Sequence, residues 1–464
     1  MRSLLASFAL LGSIIPIQAQ QILTLDECRS MALENNHEIK AAQSQTESAT
    51  YTRKSYKANY FPTITLNAIG LYSTMDGSED LAIGEQNLPV FKPNSQFGAQ
   101  TPQLSDKMWL VQNLTGYAYF PGFSTSIDYE VGPMLLAGIS LEQPIYMGGK
   151  IANATKIASK AVEMSQANET LTKVNAIKKT DEAYALVVKA KEMQKVAISY
   201  NTVLQELMNN IVKAKNQGMS TGNDVLKVQV KLNESELNLT KAANAVTLAK
   251  MNLCHVIGMD LSSDIDVTDT YPQIDTKEGG VAARPESKIL AKKVEIAEAK
   301  TKVERSAVRP EVGAMVSYNY VHGFKIADET LFNDADLTAL VKVKVPIFNF
   351  GKSTNKIRAA ESTLQQTRIE QQNITEQLEL EHQRAVNILS EAEKELSVAE
   401  NSLRQASENM RSSKSLYENG YETLTDYMQS QVLWQQAMAA KVDAEYQLYL
   451  AKVDFNRTSG TLVD

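Results

Sequence analysis

The chain has 464 residues, 43% hydrophobic and 22% charged, with a formal net charge of −7. A mean hydropathy of −0.26 excludes an integral helical membrane protein, and a pI of about 5.5 argues against a nucleic-acid partner. The length is enough for more than one ordinary domain.

The first element is a leader. Arg2, the apolar run Leu4 to Ile17 and the small-residue site ending at Ala19 predict a secretory signal over residues 1–19, with no lipoprotein cysteine at the cut. No later apolar run reaches the roughly 18 residues of a membrane helix. The chain therefore reads as a secreted soluble protein or a β-barrel. Its two cysteines, Cys28 and Cys254, both follow the leader. An oxidising compartment permits a disulfide between them, and two buried free thiols fit equally well.

A first repeat spans 20–262. Leu25 to Ala58 predicts a helix ended by Pro62. Thr63 to Tyr72 alternates as a strand, with Ile64, Leu66 and Ala68 on one face. The segment 73–133, rich in Gly, Pro, Asn and Ser, reads as a long loop, partly ordered by its aromatic residues. Leu135 to Tyr146 is a second strand. A helical pattern then runs from Lys150 to about Gln217, roughly 100 Å at about 1.5 Å per residue, too long for a globular core. A turn at 218–222, built on Gly218 and Gly222, leads to a return helix ending near Gly258.

Residues 263–285 are an acidic, turn-rich connector, and a second repeat follows over 286–464. It reads as a helix to Ala307, a strand from Pro310 to Tyr320, a short loop over 321–336 and a strand from Leu340 to Phe348. A long helix then runs to Glu418, a turn at 418–423 holds Gly420, and a return helix reaches Gly460. Six positions recur exactly 202 residues downstream: Pro144/Pro346, Gly149/Gly351, Lys150/Lys352, Gly218/Gly420, Asp224/Asp426 and Gly258/Gly460. One shared offset across two long helices identifies a duplication.

In the second long helix, small and large residues alternate at Ala385, Leu389, Ala392, Leu396, Ala399, Leu403, Ala406, Met410, Ser413 and Tyr417. Steps of four and three make a heptad seam, and its alanines suit close helix–helix packing. The strands have the length of membrane-spanning β-strands. Val341, Val343 and Val345 face one way and Lys342 and Lys344 the other, as in a lipid/lumen dyad or a half-buried soluble sheet. Four strands cannot close a barrel, so a membrane reading requires oligomerisation.

Enzymatic signatures are lacking. Gly351-Lys352-Ser353 is not a phosphate loop, because Pro346 stands where that motif needs its first glycine. His37, His255, His322 and His382 share no metal spacing.

The ordered duplication resembles the TolC-like outer-membrane efflux proteins. The residues that carry the resemblance are Leu25 to Cys28 with Asn35-Asn36, Phe61-Pro62, Gln143-Pro144-Ile145-Tyr146 with Val345-Pro346-Ile347-Phe348, the two hairpin tips, and Gly258 and Gly460. The resemblance implies a mainly α, internally duplicated protein with a small membrane β part. Long coiled-coil hairpins would form a periplasmic α-barrel, and four strands from each of three protomers a trimeric β-barrel. It also implies a homotrimer without cofactor or metal, acting as the outer-membrane exit duct of a tripartite efflux or type I secretion system. The implied partners are a periplasmic adaptor, an inner-membrane pump of RND or ABC type and outer-membrane lipid. A periplasmic adaptor or a structural coiled-coil protein is the alternative.

The tip positions Asp224, Asp426, Tyr417 and Glu422 are implied to gate the pore, and Gly218, Gly222 and Gly420 to shape the adaptor contact. Glu422 stands where the best-known member has arginine, and Gln429 where it has a second aspartate, so the family's latch is not reproduced. Under threefold symmetry the aspartates would attract cations. They also suit a helix first turn.

Overall fold

The computed structural model describes residues 21–91, 114–326 and 329–462, and the leader expected over 1–19 lies outside them. The described residues divide into a helical unit, drawn from the spans 1–56, 150–305 and 350–464, and a sheet unit, drawn from 57–149 and 306–349.

The helical unit opens with β1 (Gln21–Leu23), α1 (Leu25–Asn35) and α2 (His37–Ala58). The single helix expected over 25–58 is thus two. The break has a local cause: Asn36 leaves helical geometry, and its side-chain oxygen accepts the backbone N–H of Glu38 at 2.8 Å, capping the new helix. The hairpins follow as α3 (Lys150–Asn216) with α4 (Gly222–Ile257), and α6 (Lys352–Glu418) with α7 (Leu424–Ser459). Between them lie β7 (Ile265–Val267), a single 3₁₀ turn and α5 (Pro285–Ser306). The duplication is kept to the residue, since both long helices have 67 residues and both return helices 36.

The heptad seam of α6 is real. Leu378, Ala385, Ala392, Ala399 and Ser413 are buried at multiples of seven, while the larger seam residues between them are half-buried. From Ala385 to Ser413 the innermost residues are small, which lets the backbones approach, and the larger side chains lap over the joint.

The main core gathers the start of the chain, the middle of α3 and the end of α4. Leu23, Leu25, Cys28 and Ala32 pack with Tyr184, Val187, Val188, Leu253, Cys254 and Ile257, closed by the parallel pair β1–β7. Both cysteines lie in this core as free thiols, so the disulfide alternative gives way to the buried-thiol one. Each packs as a small apolar side chain, and the Cys254 thiol donates to the Ser263 carbonyl at 3.9 Å. Beside this core, Arg29 of α1 grips the fully buried Asp181 of α3 through two 2.7 Å hydrogen bonds.

Charge also ties α3 to α5. Lys160, Glu163, Lys292 and Glu295 close a ring of four ion pairs at 2.8 to 3.0 Å. Near the connector, the buried Arg284 pairs with Glu286 and Glu381, and Glu381 also holds Arg457.

The sheet unit is antiparallel, in the order β2 (Thr63–Leu71), β6 (Phe123–Met147), β8 (Glu311–Ile326), β9 (Glu329–Lys344). The segments read as loops are largely strand. Over 73–133, β3 (Met75–Ile83) pairs with the first part of β6, and β4 (Gln86–Phe91) with β5 (Leu114–Phe120). Over 321–336, β8 and β9 continue to pair. The reason is cooperative. The 25-residue β6 offers a continuous edge, and Met75–Ile83 pairs on it despite its Asp, Gly and Ser, because pairing context outweighs intrinsic strand preference. Where Pro133 interrupts β6 the register shifts between Val131 and Leu135. Gly323, at φ 108°, faces this bulge, and a Cβ there would collide with the Pro133 carbonyl.

Candidate functional site

The sheet sorts its side chains by chemistry row by row. Reading across the register, one row is Leu66–Ile139–Tyr318–Leu337 and the next on that face is Ile64–Leu141–Val316–Ala339. On the other face, Thr65–Ser140–Ser317–Thr338 is followed by Asn67–Gly138–Asn319–Asp336. Thr65 and Ser140 hydrogen-bond across that polar face at 2.6 Å. Side chains alternate along each strand, so the unshifted register across these four rows keeps their apolar residues on one side. The apolar face is exposed at Ile64, Leu66, Ile139, Tyr318, Leu337, Val341 and Val343. A face of this size without a cover demands a partner. β2 and β9, at the ends of the order, each pair with one neighbour among the described residues.

The hairpin tips are built alike. In the first, Gly218 takes φ 80°, and the Met219 N–H closes the end of α3 onto the Ala214 carbonyl at 2.9 Å. Thr221 then caps α4. Its hydroxyl accepts the Asp224 N–H at 3.2 Å, and the Asp224 carboxylate accepts both the Thr221 N–H and its hydroxyl. These hydrogen bonds from the Thr221 side chain and backbone hold Asp224 below the usual aspartate value. In the second tip, Gly420 takes φ 78° and Tyr421 closes onto the Leu416 carbonyl. Thr423 caps α7 and donates its hydroxyl to Asp426 at 2.6 Å. Gly222 does not take a left-handed conformation; it is the first residue of α4.

One apolar cluster joins the two tips. Leu207, Ile211, Val228, Leu424 and Tyr427 are buried together, with Met208, Val225, Tyr417 and Met428 packed against them. Tyr417 stacks on Tyr427, ring centroids 5.3 Å apart and planes 18° apart. Burial pushes both phenols above the ordinary tyrosine value. Glu422 is half-buried, and its Oε2 has no hydrogen-bond partner among the described residues.

The structure thus brings Tyr417 into the joint between the hairpins, and Asp224 and Asp426 onto the starts of the two return helices. Tyr427 and the capping Thr221 were not singled out in the sequence. The Thr-x-x-Asp spacing at both Thr221 and Thr423, again 202 residues apart, was the signal that could have found the caps. Gly351 is the left-handed residue before α6. No group of three His, Cys, Asp or Glu side chains among the described residues could hold a metal ion.

One family model, Outer membrane efflux protein, matches residues 28–259 and 282–461, one stretch in each repeat. The chain belongs to the outer membrane efflux protein family. It is an outer-membrane protein with the TolC-like fold. Solved structures agree with the family model. VceC of Vibrio cholerae superposes with a TM-score of 0.73 at 14% identity, covering 94% of this chain and 96% of that one. The CmeC outer membrane channel of Campylobacter jejuni gives 0.71 at 16%, covering 94% and 86%. The open state of the Neisseria gonorrhoeae MtrE outer membrane channel gives 0.71 at 15%, covering 94% and 89%. No curated protein sequence matches the chain.

Proposed function

We propose that this protein is a passive exit duct, taking cargo from an energised inner-membrane pump to the cell exterior and doing no chemistry of its own. The observation that carries the reading is the cross-strand sorting of the sheet into an apolar and a polar face with β2 and β9 left at its edges. Three copies joining β9 to β2 close such a sheet into a lipid-facing barrel with a wet lumen. The helical unit supports the same assembly: α4 leaves Leu226, Val230, Leu237 and Leu248 exposed at helical spacing, an unpartnered seam suited to a neighbouring protomer. The tandem hairpins favour this reading over a periplasmic adaptor, which would have one.

In the trimer the two tips form the periplasmic entrance, where an adaptor docks and where Asp224 and Asp426 form a carboxylate constriction. The gate then opens by movement of the tip helices. Because both aspartates also serve as helix caps, the test substitution must remove charge and keep the caps. Asp224→Asn/Asp426→Asn does so, and single-channel conductance in planar bilayers is the measurement. Wild type is expected to show small, cation-selective conductance, with selectivity reduced and conductance raised in the double variant. Channels that do not respond place the gate elsewhere. Absence of any channel from well-folded trimers would sink the duct.

A further inference from the structure

The two tips treat buried polar groups differently. Four buried side-chain atoms of the second tip have no hydrogen-bond partner among the described residues: the Ser413 hydroxyl, Oε2 of Glu422, and both the oxygen and the nitrogen of the Gln431 amide. Gln431 is fully buried and Ser413 is 4% exposed. Tyr417 stacks on Tyr427 across the hairpin, so Ser413, four residues before, stands level with Gln431, four residues after. The Tyr427 phenol approaches the Gln431 amide without reaching hydrogen-bond geometry. The first tip is the internal control. Ile211 holds the position of Ser413 there, buried in an apolar cluster. Gln431 corresponds to Gln229, which is exposed and donates to Asn233 at 2.7 Å. Further along that hairpin the buried Asn201 donates to Ser235 at 3.2 Å. Over 201–235 no buried side-chain polar atom lacks a partner among the described residues.

We infer that Ser413 and Gln431 make the α6–α7 joint a conformational device, poised between a dry and a wetted packing. A buried amide or hydroxyl that makes no hydrogen bond has lost its water and gained nothing in exchange. Parting α7 from its neighbours by the width of a water molecule restores those bonds. The joint therefore opens more readily at this level than the apolar joint of the first hairpin does. Packing explains why one glutamine is sealed and the other solvated. Val432, beside Gln431, packs against Tyr200 and Leu204 of α3, while Val230, beside Gln229, is exposed. On the tip side, the Tyr417–Tyr427 stack and the buried Leu424 hold the joint together, so its opening stays local. The inference concerns the protomer alone and goes beyond the duct reading.

The test is amide hydrogen exchange of the full chain in detergent, read by mass spectrometry on peptides from the two tips. Ser413→Ala/Gln431→Met removes the polar atoms at nearly constant volume. Exchange over 405–435 is expected to slow about tenfold, with a rise in melting temperature. Gln229→Met is expected to leave exchange over 203–233 as it was, because that amide is already solvated. Unchanged or faster exchange in the double variant would mean that the buried atoms are satisfied in the closed joint, by each other or by a trapped water, and overturns the device. Ser413→Ala alone guards against a double variant that misfolds, since alanine already fills the seam at Ala385, Ala392 and Ala399. It is expected to slow exchange by about threefold, and no change or acceleration overturns the device as well. Neither readout needs a channel, so this inference and the duct reading fail separately.

Discussion

Cys28 and Cys254 show how little a residue's identity says until its surroundings are known. Both are fully buried in one apolar cluster. Burial pushes the Cys28 thiol up to about 12, with Glu27 and Cys254 adding to the rise, and burial raises Cys254 too. Thiolate is the reactive form, so neither side chain reacts in the folded state. Alkylation with iodoacetamide near pH 8 is expected to modify neither cysteine in the native protein and both after unfolding without reductant. An intact mass showing two hydrogens lost would instead reveal a bond. The tip aspartates teach the same lesson from the other side. Their carboxylates are committed to Thr221 and Thr423, so their local role is helix capping whatever they do in an assembly.

At the scale of elements, the α3–α5 ring and the sheet faces each make a separable contribution. Hydrogen bonds from Lys292 and Lys160 hold Glu163 and Glu295 below the ordinary value of 4.5. A carboxylate depressed in the folded state adds stability that is present above its unfolded pKa and lost as pH falls through its folded one. The melting temperature of Glu163→Gln/Glu295→Gln should therefore lie below wild type at pH 7, and the gap should close as pH drops below about 4.5. An unchanged gap at pH 3 would mean that packing, rather than charge, joins the two helices. For the sheet, Leu66→Arg places a charge on the apolar face, and in the proposed barrel it is expected to cost about 2–4 kcal/mol near the bilayer midplane. Its neighbour Thr65→Arg, on the polar face, is expected to cost far less. Denaturant unfolding in lipid vesicles measures both, and equal penalties would contradict the assignment of faces.

At the scale of the whole molecule, the apolar seam on α4 and the edges of β2 and β9 call for identical neighbours. Leu226→Glu/Leu237→Glu is expected to leave the protomer helical by circular dichroism but to stop assembly, read as monomer mass by light scattering in detergent. Stable trimers from this variant would remove α4 from the interface.

Much of this architecture is written in the chain itself. The 202-residue offset, the heptad seam Ala385–Tyr417, the glycines at 218 and 420 and the alternation around Val341–Val345 all appear without coordinates. Each expresses a local rule, since helical and strand periods act over a few residues and left-handed turns favour glycine whatever lies nearby. Tertiary structure alone decided the rest. The stacking of Tyr417 on Tyr427, the separate burial of the two thiols and the pairing of Met75–Ile83 with β6 depend on which distant surfaces meet. Periodicity says which face of an element is apolar, but not which other face will cover it, because that choice is made by packing between segments far apart in the chain.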